Sequence, residues 1–196
     1  RLTSLIPAGS EPRWTEDATY HNLYDVARID LLDYFEIHTK ALLTDTDASV
    51  RRAFLGSVSS LCVFFGNMKA NEVILSHLNT YLNDRDWILK CAFLEAVVGV
   101  AAYVGSTSLE QYILPLMIQS ITESEEFVVE RVFRSLAAMA DLGLFQRSTT
   151  WDLLHIAVRF LIHPNTWIRE AAVHFIVNST RFLSAADKYS MLTPLI

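Results

Sequence analysis

The segment TDTDASVRRA (residues 44–53) sets a pattern that returns three times along this chain of 196 residues. It aligns without gaps with NDRDWILKCA (83–92), ESEEFVVERV (123–132) and IHPNTWIREA (162–171). All four segments carry an apolar residue at the same position: Val50, Leu89, Val129 and Ile168. Successive members of this set are 39, 40 and 39 residues apart. Such a regular interval indicates an internal repeat of one small structural unit.

Each segment has the features of a short turn followed by the start of a helix. Three residues before the shared apolar residue lies a capping or acidic side chain: Asp47, Asp86, Glu126 and Asn165. Asp and Asn accept the free N–H groups of a first helical turn, and Glu complements the helix dipole there. Amphipathic runs flank the turns. Three of the second runs close at Gly66, Gly105 and Gly143, as expected of glycines placed just beyond a helix end.

The unit is therefore a helix, a short turn, a second helix and a linker. A period near 40 residues is typical of HEAT or armadillo units, whereas tetratricopeptide and ankyrin units are shorter. Two helices per unit favour the HEAT type. We predict an all-α, HEAT-type α-solenoid of about four antiparallel helix pairs plus a partial fifth. The predicted repeats span about 19–66, 67–105, 106–146, 147–184 and, as the partial unit, 185–196.

The N-terminal region differs from the repeats. Residues 1–18 contain Pro7, Gly9, Ser10 and Pro12 and are predicted to form an irregular arm, with the solenoid covering residues 19–196. The chain begins at Arg1 rather than at a methionine, so we expect it to be a piece of a longer protein.

The repeat register also predicts the core and its supports. The shared apolar residues should be largely buried between units, as should the small residues Ala53, Ala92 and Ala171. Pro115 recurs two periods later as Pro194, which predicts kinked first helices. Asp45 precedes Arg51 by six residues, as Asp84 precedes Lys90, and this spacing predicts a partial acid–base ladder between neighbouring units.

Composition excludes several classes of function. The net charge is −6 and no basic stripe is present, so nucleic-acid binding is not expected. The longest stretch without a charged residue, 53–68, is interrupted by Gly, Ser and Asn, so we expect no direct membrane insertion. Cys62 and Cys91 lie in apolar helical runs and are interpreted as reduced, buried thiols.

Motifs for catalysis are absent from the sequence. There is no glycine-rich phosphate loop, no GxSxG elbow, no kinase catalytic loop and no HExxH. His155 and His163 are eight residues apart with no metal-ligand pattern around them. We therefore predict no catalytic, cofactor-binding or metal-binding residues in this segment, and no cofactor.

Two sets of residues are candidates for partner binding. Stacked turns would align their acidic residues into one ridge, comprising Asp45, Asp47, Asp84, Asp86, Glu123, Glu125 and Glu126. The ridge could receive a basic partner surface or face away from anionic lipid; the alternative is that these residues are caps and ladder partners. Trp87, Trp151 and Trp167 stand near helix starts and are either aromatic anchors for a partner or packing between repeats, which we favour.

Three longer strings resemble one known family: LCVFFGNMKANEVILSHL (61–78), FLEAVVGVAAYVG (93–105) and HPNTWIREAAVHFI (163–176). They are similar to the regulatory-subunit family of the class III phosphatidylinositol 3-kinase (phosphoinositide 3-kinase regulatory subunit 4). The resemblance extends over residues 31–196. In that family a protein-kinase-like domain precedes the HEAT repeats and a WD40 propeller follows them, so no catalytic residue is carried over to this segment.

The resemblance implies a scaffold for autophagy and for endosomal and vacuolar sorting. Its implied partners are the catalytic class III lipid kinase, a Beclin-like subunit and an autophagy- or endosome-specific subunit. The implied location is cytoplasmic, peripheral to endosomal, vacuolar/lysosomal and autophagosomal membranes. Periodicity alone leaves two alternatives open: a cargo- or peptide-binding HEAT adaptor of a transport pathway, and an enzyme with an unrecognised site. Apolar residues near both ends also predict end-face self-association of the segment.

Overall fold

The computed structural model describes the backbone of residues 13–78 and 80–195 and the side chains of residues 23–77 and 80–195. Within these ranges the chain is helical, with short turns and no β-strand. The all-α prediction is therefore confirmed, and the HEAT-type arrangement stays a prediction.

The described residues form ten helices in chain order. The first five are α1 (Arg13–Leu43), α2 (Ala48–Leu55), α3 (Val58–Phe65), α4 (67–78) and α5 (Trp87–Val104). The others are α6 (106–120), α7 (Glu126–Asp141), α8 (Arg147–Val158), α9 (Thr166–Thr180) and α10 (185–195). Short 3₁₀ turns, Tyr81–Asn83 and Arg159–Ile162, precede the second helices of units two and four.

The predicted turns interrupt the helices at the expected places. Non-helical residues occur within 44–47, 84–86, 121–125 and 163–165. The second helices of units one and two end against Gly66 and Gly105, whose φ angles are 80° and 88°, and Gly143 after α7 has a φ of 68°. These angles lie in the left-handed region that glycine adopts without steric cost.

Unit one departs from the predicted pattern because its second helix is broken. It forms α2 and α3, which are bent by 62° at Gly56 and Ser57. The burial pattern expected of one straight helix therefore does not apply throughout this unit. The prediction that Ala53 is buried is wrong, since it is exposed, and Val50 is only half-buried. Ala92 is also half-buried.

The predicted arm is also corrected in part. The described helix α1 already begins at Arg13, so residues 13–18 are helical rather than irregular. These six residues contain no Pro or Gly, and Glu16 and Asp17 complement the dipole of a helix start. Residues 1–12 lie outside the described part. The domain boundaries themselves stay a prediction.

The second helices α5, α7 and α9 stack in parallel. Ser135 Oγ of α7 donates to Leu94 O of α5 at 2.7 Å, and Asn178 Nδ2 of α9 donates to Ala137 O of α7 at 3.0 Å. Both bonds are buried and both join residues 41 positions apart. The starts of these helices also touch, through their aromatic residues. Since start meets start and middle meets middle, the helices of each pair run in the same direction.

The core lies between these stacked helices. Of the shared apolar residues, Leu89 and Ile168 are fully buried and Val129 is 4% exposed, and Ala171 is buried as well. Helices α3 and α5 come so close that a Cβ at Gly99 would lie 2.2 Å from Ser59 Oγ. Glycine at this position therefore permits the close packing of units one and two.

The first helices carry a recurring irregularity. π-helical turns occupy Asn71–Leu75 in α4, Leu109–Ile113 in α6 and Lys188–Leu192 in α10. Pro115 and Pro194 each lie two residues after such a turn, so the widened turn accommodates the missing N–H. In α4, Ser76 directly follows the π-helical turn and donates its hydroxyl to Glu72 O at 2.5 Å. The recurring irregularity supports the assignment of these helices to equivalent positions.

Helix α5 is long and apolar enough by composition to cross a membrane, as is the bent pair α2 and α3 if counted as one span. Core helices of water-soluble proteins have the same profile. In α5, Phe93, Leu94 and Val97 are buried in the stack, and Lys90 and Glu95 form ion pairs with neighbouring segments. These contacts favour the interpretation of α5 as a core helix.

The chain divides into two compact parts, which meet between Thr39 and Lys40 within α1. In the N-terminal part, α1 exposes many large apolar residues: Leu23, Tyr24, Val26, Ile29, Leu31, Tyr34, Phe35 and Ile37. In the C-terminal part, Tyr189 and Met191 of α10 are exposed, whereas Leu192 is buried. End-face self-association stays a prediction, without Leu192 as a contributor.

Candidate protein-interaction edge

Three of the four turns share one capping geometry. The side chains of Asp47, Asp86 and Asn165 accept the backbone N–H groups of Ser49, Ile88 and Trp167 at 2.8, 3.0 and 2.9 Å. Each cap fixes the start of a second helix. In unit three the cap position is held by Glu125, which makes no side-chain capping bond. Helix α7 thus begins one residue earlier than the sequence alignment predicts.

A second set of side chains braces each turn two residues before its cap. Asp45 Oδ1 and Asp84 Oδ1 accept the N–H groups of Asp47 and Asp86 at 2.8 and 2.9 Å. His163 Nδ1 accepts the N–H of Asn165 at 3.1 Å. Ser124 occupies this position in unit three. The third turn therefore lacks both side-chain bonds that order the other turns.

The predicted acid–base ladder is present between units one, two and three. Arg51 donates through Nη1 to Asp45 O at 2.6 Å and pairs through Nη2 with Asp84 at 2.8 Å. Lys90 Nζ pairs with Glu123 at 2.7 Å. These cations are 15% and 10% exposed, so the pairs are less screened than surface pairs. Each joins one unit to the turn of the next.

The ladder changes its chemistry in unit three. Glu130 stands where the other units have Arg51, Lys90 and Arg169, and its carboxylate is bonded to Arg134 on the same helix. In unit four Arg169 donates to the carbonyls of His163 and Pro164 at 2.6 and 2.9 Å, as Arg51 does in its own turn. Among the described residues, no cation holds the equivalent carbonyl of Ser124.

Most of the predicted acidic ridge has a structural partner. Asp45, Asp47, Asp84 and Asp86 brace or cap turns, and Glu123 is a ladder partner. Glu126 accepts a hydrogen bond from Asn165 Nδ2 at 2.7 Å. The exposed carboxylate of Glu125 has no bonded partner in the described part of the chain. The role of the ridge in partner binding stays a prediction.

An aromatic row runs along the same edge. Trp87, Phe127 and Trp167 follow one another at intervals of 40 residues near the starts of α5, α7 and α9. Their rings are stacked, with centroids 5.4 Å apart for Trp87 and Phe127 and 5.7 Å apart for Phe127 and Trp167. The three residues are 38%, 49% and 55% exposed. The row therefore both joins the units and presents an apolar stripe to the surface.

The aromatic residues predicted as partner anchors or packing residues were tryptophans only and did not include Phe127. The interval of 40 residues between Trp87, Phe127 and Trp167 was the signal that could have joined them. Trp151 does not belong to the row, since it lies half-buried in α8.

A pocket of 270 Å³ adjoins the row between α5 and α7. Its walls include Trp87, Ile88, Cys91, Phe127 and Arg131. Arg131 pairs with Glu95 at 2.5 Å through Nη1, while its buried Nε has no acceptor among the described residues. The pocket is thus apolar on the side of the aromatic row and charged on the other.

Neither cysteine is suited to nucleophilic chemistry. Burial raises the pKa of Cys62 to about 11. Burial also raises the pKa of Cys91, whose Sγ lies 3.8 Å from Phe127 O. A thiol with a raised pKa carries little thiolate at neutral pH. Within the described residues, no group of three His, Cys, Asp or Glu could hold a metal ion.

The stacked units and the bonds between them together define an all-α protein built from repeated, stacked helices. The chain belongs to the family described as "PIK3R4-like, middle domain", which matches it over residues 6–196. This segment is the middle domain of that family and lies outside the kinase region for which its relatives are named.

Several relatives are similar over most of this chain. A probable serine/threonine-protein kinase vps15 of Dictyostelium discoideum is 39% identical over 180 residues, which is 91% of this chain and 9% of the relative. The serine/threonine-protein kinase vps15 of Schizosaccharomyces pombe is 40% identical over 89% of this chain and 10% of its own length. The corresponding protein of Saccharomyces cerevisiae is 41% identical over 85% of this chain and 11% of its own. The chain therefore spans about a tenth of these relatives.

Proposed function

We propose that this chain is a scaffold segment of a regulatory subunit in a class III phosphatidylinositol 3-kinase complex. The observation that carries the proposal is the match to the PIK3R4-like middle domain over nearly the whole chain. Its sequence contains no catalytic motif, so its contribution is one of shape and contact rather than of chemistry.

The contacts between units support a scaffold role. Buried hydrogen bonds, ladder pairs and stacked rings join each second helix to the next. In a solenoid each repeat is stabilised by its neighbours, so such links hold distant parts of the chain at fixed separations. A segment of this kind sets the distance between whatever is attached at its two ends.

The partners we propose are the catalytic class III lipid kinase, a Beclin-like subunit and an autophagy- or endosome-specific subunit. The proposed place of action is the cytoplasmic face of endosomal, vacuolar/lysosomal and autophagosomal membranes, reached through the complex. The names of the yeast and Dictyostelium relatives support this setting, since they are vps15 proteins.

A cargo- or peptide-binding adaptor is the second candidate. The half-exposed aromatic row favours it, because exposed aromatic side chains are common anchors in protein interfaces. The two candidates predict different losses when the stack is disrupted. The scaffold would lose assembly of the complex, and the adaptor would lose capture of a peptide.

Co-purification of the catalytic lipid kinase tests the proposal. Phe133 is 1% exposed in α7, so Phe133→Asp in the full-length protein should disrupt the stack. We expect this variant to lose the lipid kinase, whereas Leu142→Asp, at a position 56% exposed, should retain it. Circular dichroism of the 196-residue chain would establish which variant unfolds. Wild-type recovery of the lipid kinase with an unfolded stack would contradict the scaffold role.

A further inference from the structure

The aromatic row has a feature that separates unit three from its neighbours. Phe127 is the middle ring of the row and also forms a wall of the 270 Å³ pocket between α5 and α7. Directly before it in the sequence are Glu125 and Glu126, both exposed. Apolar surface, a pocket and unneutralised carboxylates therefore meet at one place on the edge.

The other turns show what this place lacks. Arg51 and Arg169 each direct Nη1 to two successive carbonyl oxygens of their own turn. Their Nη2 atoms reach a further acceptor, Asp84 for Arg51 and Thr166 Oγ1 for Arg169. A guanidinium suits this arrangement because its N–H donors form a planar fork. In unit three Glu130 takes the place of the arginine. Among the described residues, no cation bonds the carbonyl of Ser124 or pairs with Glu125 or Glu126, whereas Glu123 is paired with Lys90.

We propose that this place on the edge, formed by Phe127, the adjoining pocket, Glu125 and Glu126, binds an arginine-containing segment of a partner protein. The arginine takes the role that Arg51 and Arg169 have in their own units, and a neighbouring apolar side chain enters the pocket beside Trp87. The inference goes beyond the scaffold role and does not depend on which complex the chain belongs to.

Charge decides the class of occupant. The cations Arg51, Arg52 and Lys90 lie near Asp84, Asp86 and Glu123. Glu125 and Glu126, directly before Phe127, form no ion pair among the described residues, and their carboxylates repel anionic lipid and nucleic acid. Arginine in addition packs against aromatic side chains more favourably than lysine does, because its guanidinium is planar and weakly hydrated.

The test uses the 196-residue chain and a fluorescein-labelled hexapeptide, Gly-Leu-Gly-Arg-Arg-Gly, with binding followed by fluorescence anisotropy. The control peptide replaces both arginines by citrulline, which has nearly the same shape without the charge. We expect saturable binding of the arginine peptide and at least about fivefold weaker binding of the citrulline peptide. Equal affinity of the two peptides, or no binding of either, would overturn the proposal.

Variants locate the binding site. The double change Glu125→Gln with Glu126→Gln should weaken binding at least about fivefold, because it removes the charge at exposed positions with little effect on folding. Asp152→Asn, a change of one exposed carboxylate on α8, should leave binding unchanged. Unaltered binding by the double variant, or an equal loss in Asp152→Asn, would show that the peptide binds elsewhere.

A third variant fills the site from within. Glu130→Arg restores the arginine that units one and four carry, so its guanidinium should occupy the turn and exclude the peptide. We expect this variant to remain helical by circular dichroism and to lose binding by at least about fivefold. If the folded variant binds the peptide as the wild type does, the assignment of the site to the missing ladder position is wrong.

Discussion

At the scale of single residues, Leu89 shows how the repeated apolar positions stabilise the fold. It is fully buried in α5, in the layer between the stacked units. Replacing it with alanine removes buried methyl groups and leaves a cavity, so Leu89→Ala should lower the free energy of unfolding by about 2–5 kcal/mol. Urea unfolding of the 196-residue chain measures this loss. Leu142→Ala, at an exposed position, is the control and should change it by less than about 0.5 kcal/mol.

A capping carboxylate gives a prediction for pH dependence. Hydrogen bonds from the backbone and side chain of Ser49, with help from Arg52 and Arg51, lower the pKa of Asp47 below its usual value. Because the folded pKa is the lower one, the stabilisation is complete above about pH 4 and is lost as pH falls through the folded pKa. The stability difference between wild type and Asp47→Asn should therefore shrink on acidification.

Thermal unfolding from pH 6 to pH 3 of both proteins measures this difference. Asparagine still caps a helix, so the comparison isolates the contribution of the charge. A difference that stays constant or grows toward pH 3 would show that the ionised form of Asp47 is not the stabilising one.

Individual residues also show which structural features could be predicted from the sequence. Leu89, Val129 and Ile168 were predictable because equivalent positions in stacked units face the same neighbours. Ala53 was predicted wrongly because the repeat pattern assumes one straight second helix in every unit, whereas that of unit one is bent by 62° after Leu55. Phe127 was missed as a member of the aromatic row because it differs in type from the two tryptophans, although its interval from each is 40 residues.

At the scale of helices, the contact between α3 and α5 depends on Gly99. A methyl group there would lie 2.2 Å from Ser59 Oγ and 3.0 Å from Ser59 Cβ. The hydroxyl can rotate away, but the Cβ cannot move without the helix. Gly99→Ala should therefore destabilise the chain by about 1–3 kcal/mol, although alanine is the better helix former.

Gly56 provides a matched comparison. Its backbone is already helical, with φ of −61°, and an added Cβ would meet Ala53 O at an ordinary 3.5 Å. Gly56→Ala should therefore leave stability unchanged or raise it by up to about 1 kcal/mol. Chemical unfolding of both variants measures the contrast. Similar effects at the two positions would contradict the close packing of α3 on α5.

The first helices illustrate a limit at this scale. Pro115 and Pro194 predicted an irregularity in equivalent helices, and both follow π-helical turns. The π-helical turn in α4 has no proline after it, so it left no comparable mark in the sequence.

At the scale of the whole molecule, the repeat interval was the most informative feature of the sequence. It predicted the turns, the positive-φ glycines and the ladder, because each depends on local chemistry that recurs every 39 or 40 residues. The candidate site was only partly predictable. The acidic residues and Glu130, which replaces the ladder cation in unit three, were visible in the sequence, but the pocket depends on which side chains stacking brings together.

The proposed scaffold role requires α5, α7 and α9 to form one continuous stack with a fixed spacing between the helices. Pulsed electron paramagnetic resonance tests it with spin labels at Glu95 of α5 and His174 of α9, two exposed positions 79 residues apart. Helix α7 lies between these helices, and packed helices are separated by about 8–10 Å. We predict one narrow distance distribution centred near about 20 Å, from two such spacings. A broad distribution, or a centre beyond about 35 Å, would contradict the stack.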